Sequence, residues 1–308
     1  MSQPAVVVAM LTYQRPDRIA VAVGTLRQHL TQVPGSRLIV VDNDVEPSAR
    51  LAVEQAAGSD SRIRYLHQPE PGIAAARNCA LDAARGADLL IFIDDDEQPH
   101  ERWLTSLLAT WHDQYQPAAV VGPVVSIFDG IPDPWISAGG FFRRLRHPTG
   151  AEVDTAATNN LLLDLTEVRR LGLRFDPEFG LSGGSDTVFT RQLSGAGGRI
   201  VWCDEAVVFD IVPADRATRG WVRERASRLG NSDQRAQVHL ARPGLPRLQV
   251  RLVGTARGSA RLLAGGARAA YGRLRGSLNH EARGTRTALR GVGMMRGSWG
   301  SVVSEYSR

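Results

Sequence analysis

Along the first 125 residues, short apolar runs alternate with longer stretches whose apolar positions recur at helical spacing. The runs at 6–11, 38–41, 63–66 and 89–93 are strand-length and rich in Val, Ile and Leu, so they predict four buried β-strands. Between them, 17–30, 47–57 and the alanine-rich 72–84 predict helices. This rhythm predicts a mostly parallel sheet covered by helices on both sides. Ligands of such sheets bind beyond the carboxyl ends of the strands, near a switch in strand order. The residues just after each run are therefore candidates to line a site: Thr12-Tyr13-Gln14-Arg15, Asp42-Asn43-Asp44, His67-Gln68 and Asp94-Asp95-Asp96.

The pattern loosens at 126–160, where Pro132, Pro134, Trp135, Gly139 and Gly140 predict loops. Regular structure resumes near 160–171 and 199–212, followed by a helix over 218–237. Beyond Pro243 and Pro246, Arg, Ala, Leu and Gly dominate, which predicts a domain of residues 1–240 and a basic, helical tail of 241–308 whose glycines weaken its helices. No internal repeat is visible.

Charge sharpens that division. Residues 240–308 hold 13 arginines against two acids, whereas residues 1–239 hold 24 arginines against 30 acids, so the net charge of +5 is a property of the tail. Arginine mixed with Leu, Ala and Val there predicts amphipathic helices on an anionic membrane surface. A dimerisation surface and a nucleic-acid-binding arm are the alternatives, although the tail has few aromatics and no nucleic-acid motif. Two cysteines, Cys79 and Cys203, in no metal-type spacing fit a reducing compartment. The sequence shows neither a leader-like N-terminus nor a transmembrane-length apolar stretch, so the expected location is cytoplasmic, peripheral on the inner face of a membrane.

The sharpest chemical feature is Ile93-Asp94-Asp95-Asp96-Glu97. Four acids following a strand repel one another and raise each other's pKa unless a cation sits among them. A hard divalent ion, Mg²⁺ or Mn²⁺, relieves that repulsion with one or two carboxylates and substrate phosphates. A solvated acidic loop is the plainer reading.

Asp94-Asp95-Asp96 resembles the Asp-X-Asp motif of family 2 glycosyltransferases, whose GT-A fold begins with a nucleotide-binding α/β half. Thr12-Tyr13-Gln14-Arg15, Val40-Val41-Asp42-Asn43, Gly72-Ile73-Ala74-Ala75-Ala76-Arg77-Asn78 and Gly183-Gly184-Ser185-Asp186 resemble further family segments, in the right order, over roughly residues 5–230. The resemblance implies an inverting transferase with a nucleotide-sugar donor, a UDP-sugar first, and a carbohydrate or lipid-linked acceptor. It implies that Thr12, Tyr13 and Arg15 wall the nucleotide pocket, that Asp42 meets the base and that Asp94 meets the ribose, with Asn43 and Asp95 as further nucleotide-sugar-binding candidates. Asp96 then ligates the metal, and Asp210 stands where relatives often carry a metal-binding His. Arg77 is a candidate phosphate or ribose contact, with an ordinary ion pair as the alternative. Gly72 at a helix start permits close backbone approach, or forms a plain turn.

Asp186 is the expected general base, with helix capping as its other role. Ser185 replaces the family's usual Glu. Arg225 and Arg228, three residues apart on a predicted helix, resemble a basic element near the leaving diphosphate, a solvated face being the alternative. Asn160, after an Asn159 that replaces a Gly, and Trp135 are candidate acceptor-binding residues; Phe141 and Phe142 read better as core. A nucleotidyltransferase and a catalytically silent nucleotide-sugar-binding protein remain the rival readings.

Overall fold

A computed structural model describes residues 3–302. The strands are β1 (Val6–Thr12), β2 (Arg37–Asp42), β3 (Ile63–His67), β4 (Leu89–Asp94), β5 (Glu97–Pro99), β6 (Ala119–Val121), β7 (Val124–Phe128), β8 (Asn160–Asp164), β9 (Ile200–Trp202) and β10 (Val208–Val212). The helices are α1 (Pro16–Gln32), α2 (Arg50–Ala57), α3 (Ile73–Ala83), α4 (Trp103–Asp113), α5 (Pro134–Gly139), α6 (Leu165–Arg170), α7 (Ser185–Gly195), α8 (Arg219–Leu240), α9 (Leu245–Leu274) and α10 (Leu278–Ser298).

The four strands expected from the apolar runs are present, each extended by a residue or two. They lie in a seven-stranded sheet of order β3-β2-β1-β4-β8-β6-β9. β1 to β4 are mutually parallel, and β8 runs antiparallel to both its neighbours. Because β2 lies on one side of β1 and β4 on the other, the strand order switches at β1, where a crevice is expected beyond the strand ends. Alternate residues of the strands enter two apolar cores, one on each face of the sheet. Val6, Val8, Met10, Leu38 and Ile91 pack with α1 and Trp103, whereas Val7, Ala9, Ile39 and Phe92 pack with α3, Phe175 and Phe189. A second sheet, β5-β10-β7, was not expected. Three-residue strands such as β5 are too short to show a period.

The chain divides into two compact units: residues 1–125, 144–180 and 185–210, and residues 126–143, 181–184 and 211–308. The composition change near 240 is therefore not where the units part, since α8 shares a unit with the tail and with residues 126–143.

The second unit is built by α5, α8, α9 and α10, and the tail is helical. Its glycines, read from the sequence as weakening helices, sit where two helices meet. Gly258, Gly265 and Gly272 recur every seven residues on α9, and Gly284 and Gly291 do so on α10. A Cβ on Gly258 would lie 2.7 Å from the Gly291 carbonyl oxygen, and one on Gly284 would lie 2.4 Å from the Ala269 nitrogen. Only glycine lets the backbones come this close. Gly293 and Gly297 do the same against Ser227 and Asn231 of α8. Among the described residues, no helix is long and apolar enough to cross a membrane.

Candidate active site

The site grows from the carboxyl ends of β1 and β4. Their register sets Leu11 beside Asp94, so the turn after β4 faces the turn after β1. Thr12 is buried, and its hydroxyl donates to Asp95 Oδ2 at 2.7 Å. Gln14, with φ of 53°, turns the chain through the left-handed region, where a non-glycine residue is uncommon. Arg15 follows, and its Nη1 donates to Asp95 Oδ1 at 2.7 Å and to Asp96 Oδ2 at 2.9 Å. Asp95 is thereby clamped from two sides.

Asp94 and Glu97 in the acid cluster are raised first by burial and then by like-charge repulsion. The Asp94 carboxyl is pushed up to about 7, by burial first and then by Asp96, against the pull of Arg77. Glu97 is raised well above the usual carboxylate range by burial and Asp94, and its Oε1 accepts from Asn159 Nδ2 at 2.6 Å. Strand pairing sets Asp210 opposite Glu97, and Arg144 holds Asp210 at 3.0 Å. Register thus brings Asp210 to the acidic turn.

The donor set suits a hard cation, being all carboxylate oxygen. Among the described residues no three such groups converge into a closed cage, and Arg15 and Arg144 already hold oxygens of Asp96 and Asp210. One or two carboxylates with open positions is the arrangement Mg²⁺ takes when phosphates complete its shell, so the residues fit that ion.

Several expected contacts are already taken by the chain itself. Asp42 is fully buried and accepts from Ala49 N at 2.8 Å, Tyr65 Oη at 2.9 Å and Asp44 N at 3.2 Å. Its carboxylate holds the turn after β2. Asn43 donates to the Gln68 and Glu70 carbonyls at 2.8 and 2.7 Å and accepts from Gly72 N at 3.1 Å, stapling two loops together. Gly72 serves packing: its Cβ would meet Gly180 at 3.2 Å, and Ile73 N donates to the Gly180 carbonyl.

The buried Asn160 accepts from Trp103 Nε1 and donates to the Pro123 and Ala206 carbonyls, so it ties the core and is closed to an acceptor. Trp135 is fully buried and stacked on Phe141 at 5.1 Å, so it shows no ring face to a sugar. It shares an apolar cluster with Phe141 and Phe142, nearby in sequence, and with Val222 from α8. Arg225 and Arg228 lie over the Trp221 ring at 5.3 and 6.0 Å.

Arg77 is buried, and its Nη1 donates to Ser185 Oγ at 2.6 Å. Ser185 is thus the partner of a buried guanidinium. Asn78 continues the link, exchanging two hydrogen bonds with the Phe175 backbone. Asp186 lies half-buried in the first turn of α7. Its Oδ1 accepts from the adjacent Thr187 N at 2.7 Å, while Oδ2 has no partner among the described residues. A helix-capping side chain instead reaches two or three residues ahead.

Asn159 and Arg144 had no role assigned from the sequence, and Glu97 and Asp44 were named only as members of their acidic stretches. Asp44 is buried after β2, with Gln14 Nε2 3.4 Å from its Oδ1. It stood in view within Asp42-Asn43-Asp44, as Glu97 did beside Asp96; Asn159 and Arg144 are joined to the acidic turn by tertiary contacts.

Residues 7–163 match the family model described as glycosyl transferase family 2. The chain belongs to that family. It is 37% identical over 229 residues to the succinoglycan biosynthesis protein ExoM of Rhizobium meliloti, covering 74% of this chain and 74% of that protein. It is 37% identical over 107 residues to a pre-mycofactocin glycosyltransferase of Mycobacterium tuberculosis, covering 34% of this chain and only 22% of that protein. Among solved structures, GalNAc-T7 with UDP, GalNAc and Mn²⁺ superposes with a TM-score of 0.53 at 15% identity, over 76% of this chain and 47% of that one. S. aureus TarS does so with a TM-score of 0.53 at 14% identity, over 76% of this chain and 42% of that one. These likenesses establish the GT-A-type fold, and the chain spans less than half of either structure. Family membership makes the chain a glycosyltransferase and sets the nucleotidyltransferase reading aside.

Proposed function

We propose that this glycosyltransferase moves a sugar from a nucleoside-diphosphate donor to an acceptor hydroxyl with inversion at the anomeric carbon. The observation that carries the reading is the acid cluster at the ends of β1 and β4, where Asp94 is held up to about 7 among like charges. Such a cluster meets a diphosphate only with a cation between them. Asp96 and Asp94 are the residues to hold that ion, with Asp210 a further oxygen, and the ion supplies neutralisation of the leaving diphosphate. Arg15, bridging Asp95 and Asp96, orients the two carboxylates and offers a guanidinium edge to an anionic donor.

Asp186 is the general base. Its unpartnered Oδ2 takes the proton of the acceptor hydroxyl as that oxygen bonds to the anomeric carbon and the bond to the diphosphate breaks from the opposite face. The acceptor is a carbohydrate or lipid-linked sugar. UDP is the nucleotide to test first, because it is the one bound in the GalNAc-T7 structure.

Calorimetry of UDP and GDP with Mn²⁺ and with EDTA tests the donor side. Binding is expected to need the metal and to fall sharply in Asp96→Ala. Equal affinity of both proteins in EDTA would overturn the metal bridge.

A further inference from the structure

Helix α9 has two faces of opposite character. Gly254, Gly258, Gly265, Ala269 and Gly272 form its buried side, turned to α10 and α8. At 100° per residue, Leu245, Leu252, Val253, Leu263, Tyr271 and Leu274 fall on the opposite side, and all are exposed, Leu263 at 74% and Leu274 at 86%. Ala256, Ala260, Ala267 and Ala270 fill the gaps between them. The result is an apolar stripe along a helix of 30 residues, about 45 Å in length. Soluble proteins rarely leave so long a contiguous apolar surface to water. The helix holds six arginines and no acid, with Arg257 and Arg268 along one edge of the stripe and Arg273 along the other.

We propose that this outer face of α9 docks on an anionic phospholipid surface, with the helix lying in the headgroup plane. The apolar stripe enters the acyl boundary while the flanking guanidiniums meet lipid phosphates, the arrangement that fixes amphipathic helices at an interface. Charge selects this occupant over a second copy of the chain. A two-fold dimer through the stripe would set arginine edges against arginine edges with no acid on either helix. Spanning is not available to it, since the helix is too polar to cross a bilayer.

The test is sedimentation of the full chain with phosphatidylcholine vesicles, with and without phosphatidylglycerol, alongside analytical ultracentrifugation. Wild type is expected to sediment with the phosphatidylglycerol vesicles only, and salt is expected to weaken the binding. Leu252→Glu/Leu263→Glu should lose at least about tenfold in affinity, because two apolar anchors become charged, with an unchanged thermal melt since both side chains already face water. Equal sedimentation of wild type and double variant would overturn the proposal. So would a vesicle-indifferent dimer that the double variant splits, which would assign the stripe to a second copy. Should the leucine variant fail to fold, Arg257→Glu/Arg268→Glu decides by the same readout. The outcome does not depend on whether sugar transfer occurs.

Discussion

The two compact units differ in how they use arginine. In the first, guanidiniums find carboxylates: Arg15 with Asp95 and Asp96, Arg144 with Asp210, Arg174 with Asp82. In the second, Arg219 and Arg273 reach Asp133 and Glu281, but guanidiniums also find rings and carbonyls. Arg219 and Arg223 lie 5.2 Å from the Trp135 ring, and Arg225 lies 5.3 Å from Phe142. Arg283 and Arg286 donate to the Ala138 and Gly140 carbonyls at the end of α5, where a cation also meets the negative end of the helix. A carboxylate fixes the direction of a guanidinium as well as its place, whereas an aromatic face fixes mainly its place. The first arrangement can orient groups for chemistry. The second supplies mainly packing.

This contrast predicts that damage at the candidate site of the first unit falls on turnover and damage to the glycine-packed helices of the second on stability. The largest expected effect is Asp186→Asn, which should cut transfer by about 10²–10⁴-fold. Donor affinity and thermal melt should stay near wild type, because a base acts mainly in the transition state. Paired calorimetry and turnover check it. A folded Asp186→Asn protein with normal turnover would move the search for the base to another carboxylate.

Next comes Gly291→Leu in the second unit. A Cβ there would lie 2.4 Å from the Gly258 carbonyl oxygen, so the helix pair must separate, at about 1–3 kcal/mol by denaturant titration. Gly266→Ala is its counterpart on α9. Nothing lies within 4 Å of the Cβ position, so removing backbone freedom should stabilise by about 0.5–1 kcal/mol. If both substitutions acted alike, the close-packing account of the tail would fail.

The smallest expected effect is at Asp82. Hydrogen bonds from Arg174 and then Arg85 hold its carboxyl down to about 2. A depressed carboxylate stabilises the fold above its unfolded pKa, and that contribution fades as pH falls from roughly 4 toward 2. The pair is part-exposed and screened, so Asp82→Asn should cost only about 0.5 kcal/mol at neutral pH and nothing at the acid end. A loss that persisted below pH 2 would point to packing instead.

Much of the first unit was legible in the sequence. The strands β1 to β4 showed as apolar runs, and Asp94-Asp95-Asp96-Glu97 followed one of them directly, so the acidic end of the sheet could be read without coordinates. The helical tail and its charge were equally plain. Local sequence determines these because strand and helix periods and net charge are properties of neighbouring residues.

Tertiary structure decided which side chains remain available for chemistry. Asp42, Asn43 and Asn160 stood at strand ends and looked open, yet their polar atoms are engaged by residues such as Tyr65, Glu70 and Ala206. Thr12 and Asp95 meet across 83 residues of chain, a pairing no local preference encodes. The glycines of α9 and α10 were visible at seven-residue spacing, but spacing alone does not distinguish a weakened helix from one that must admit a neighbour's backbone. Hydrogen-bond partners and close helix contacts are set by what folding brings alongside, so the sequence determined the elements and their charge while packing determined which polar groups were left over.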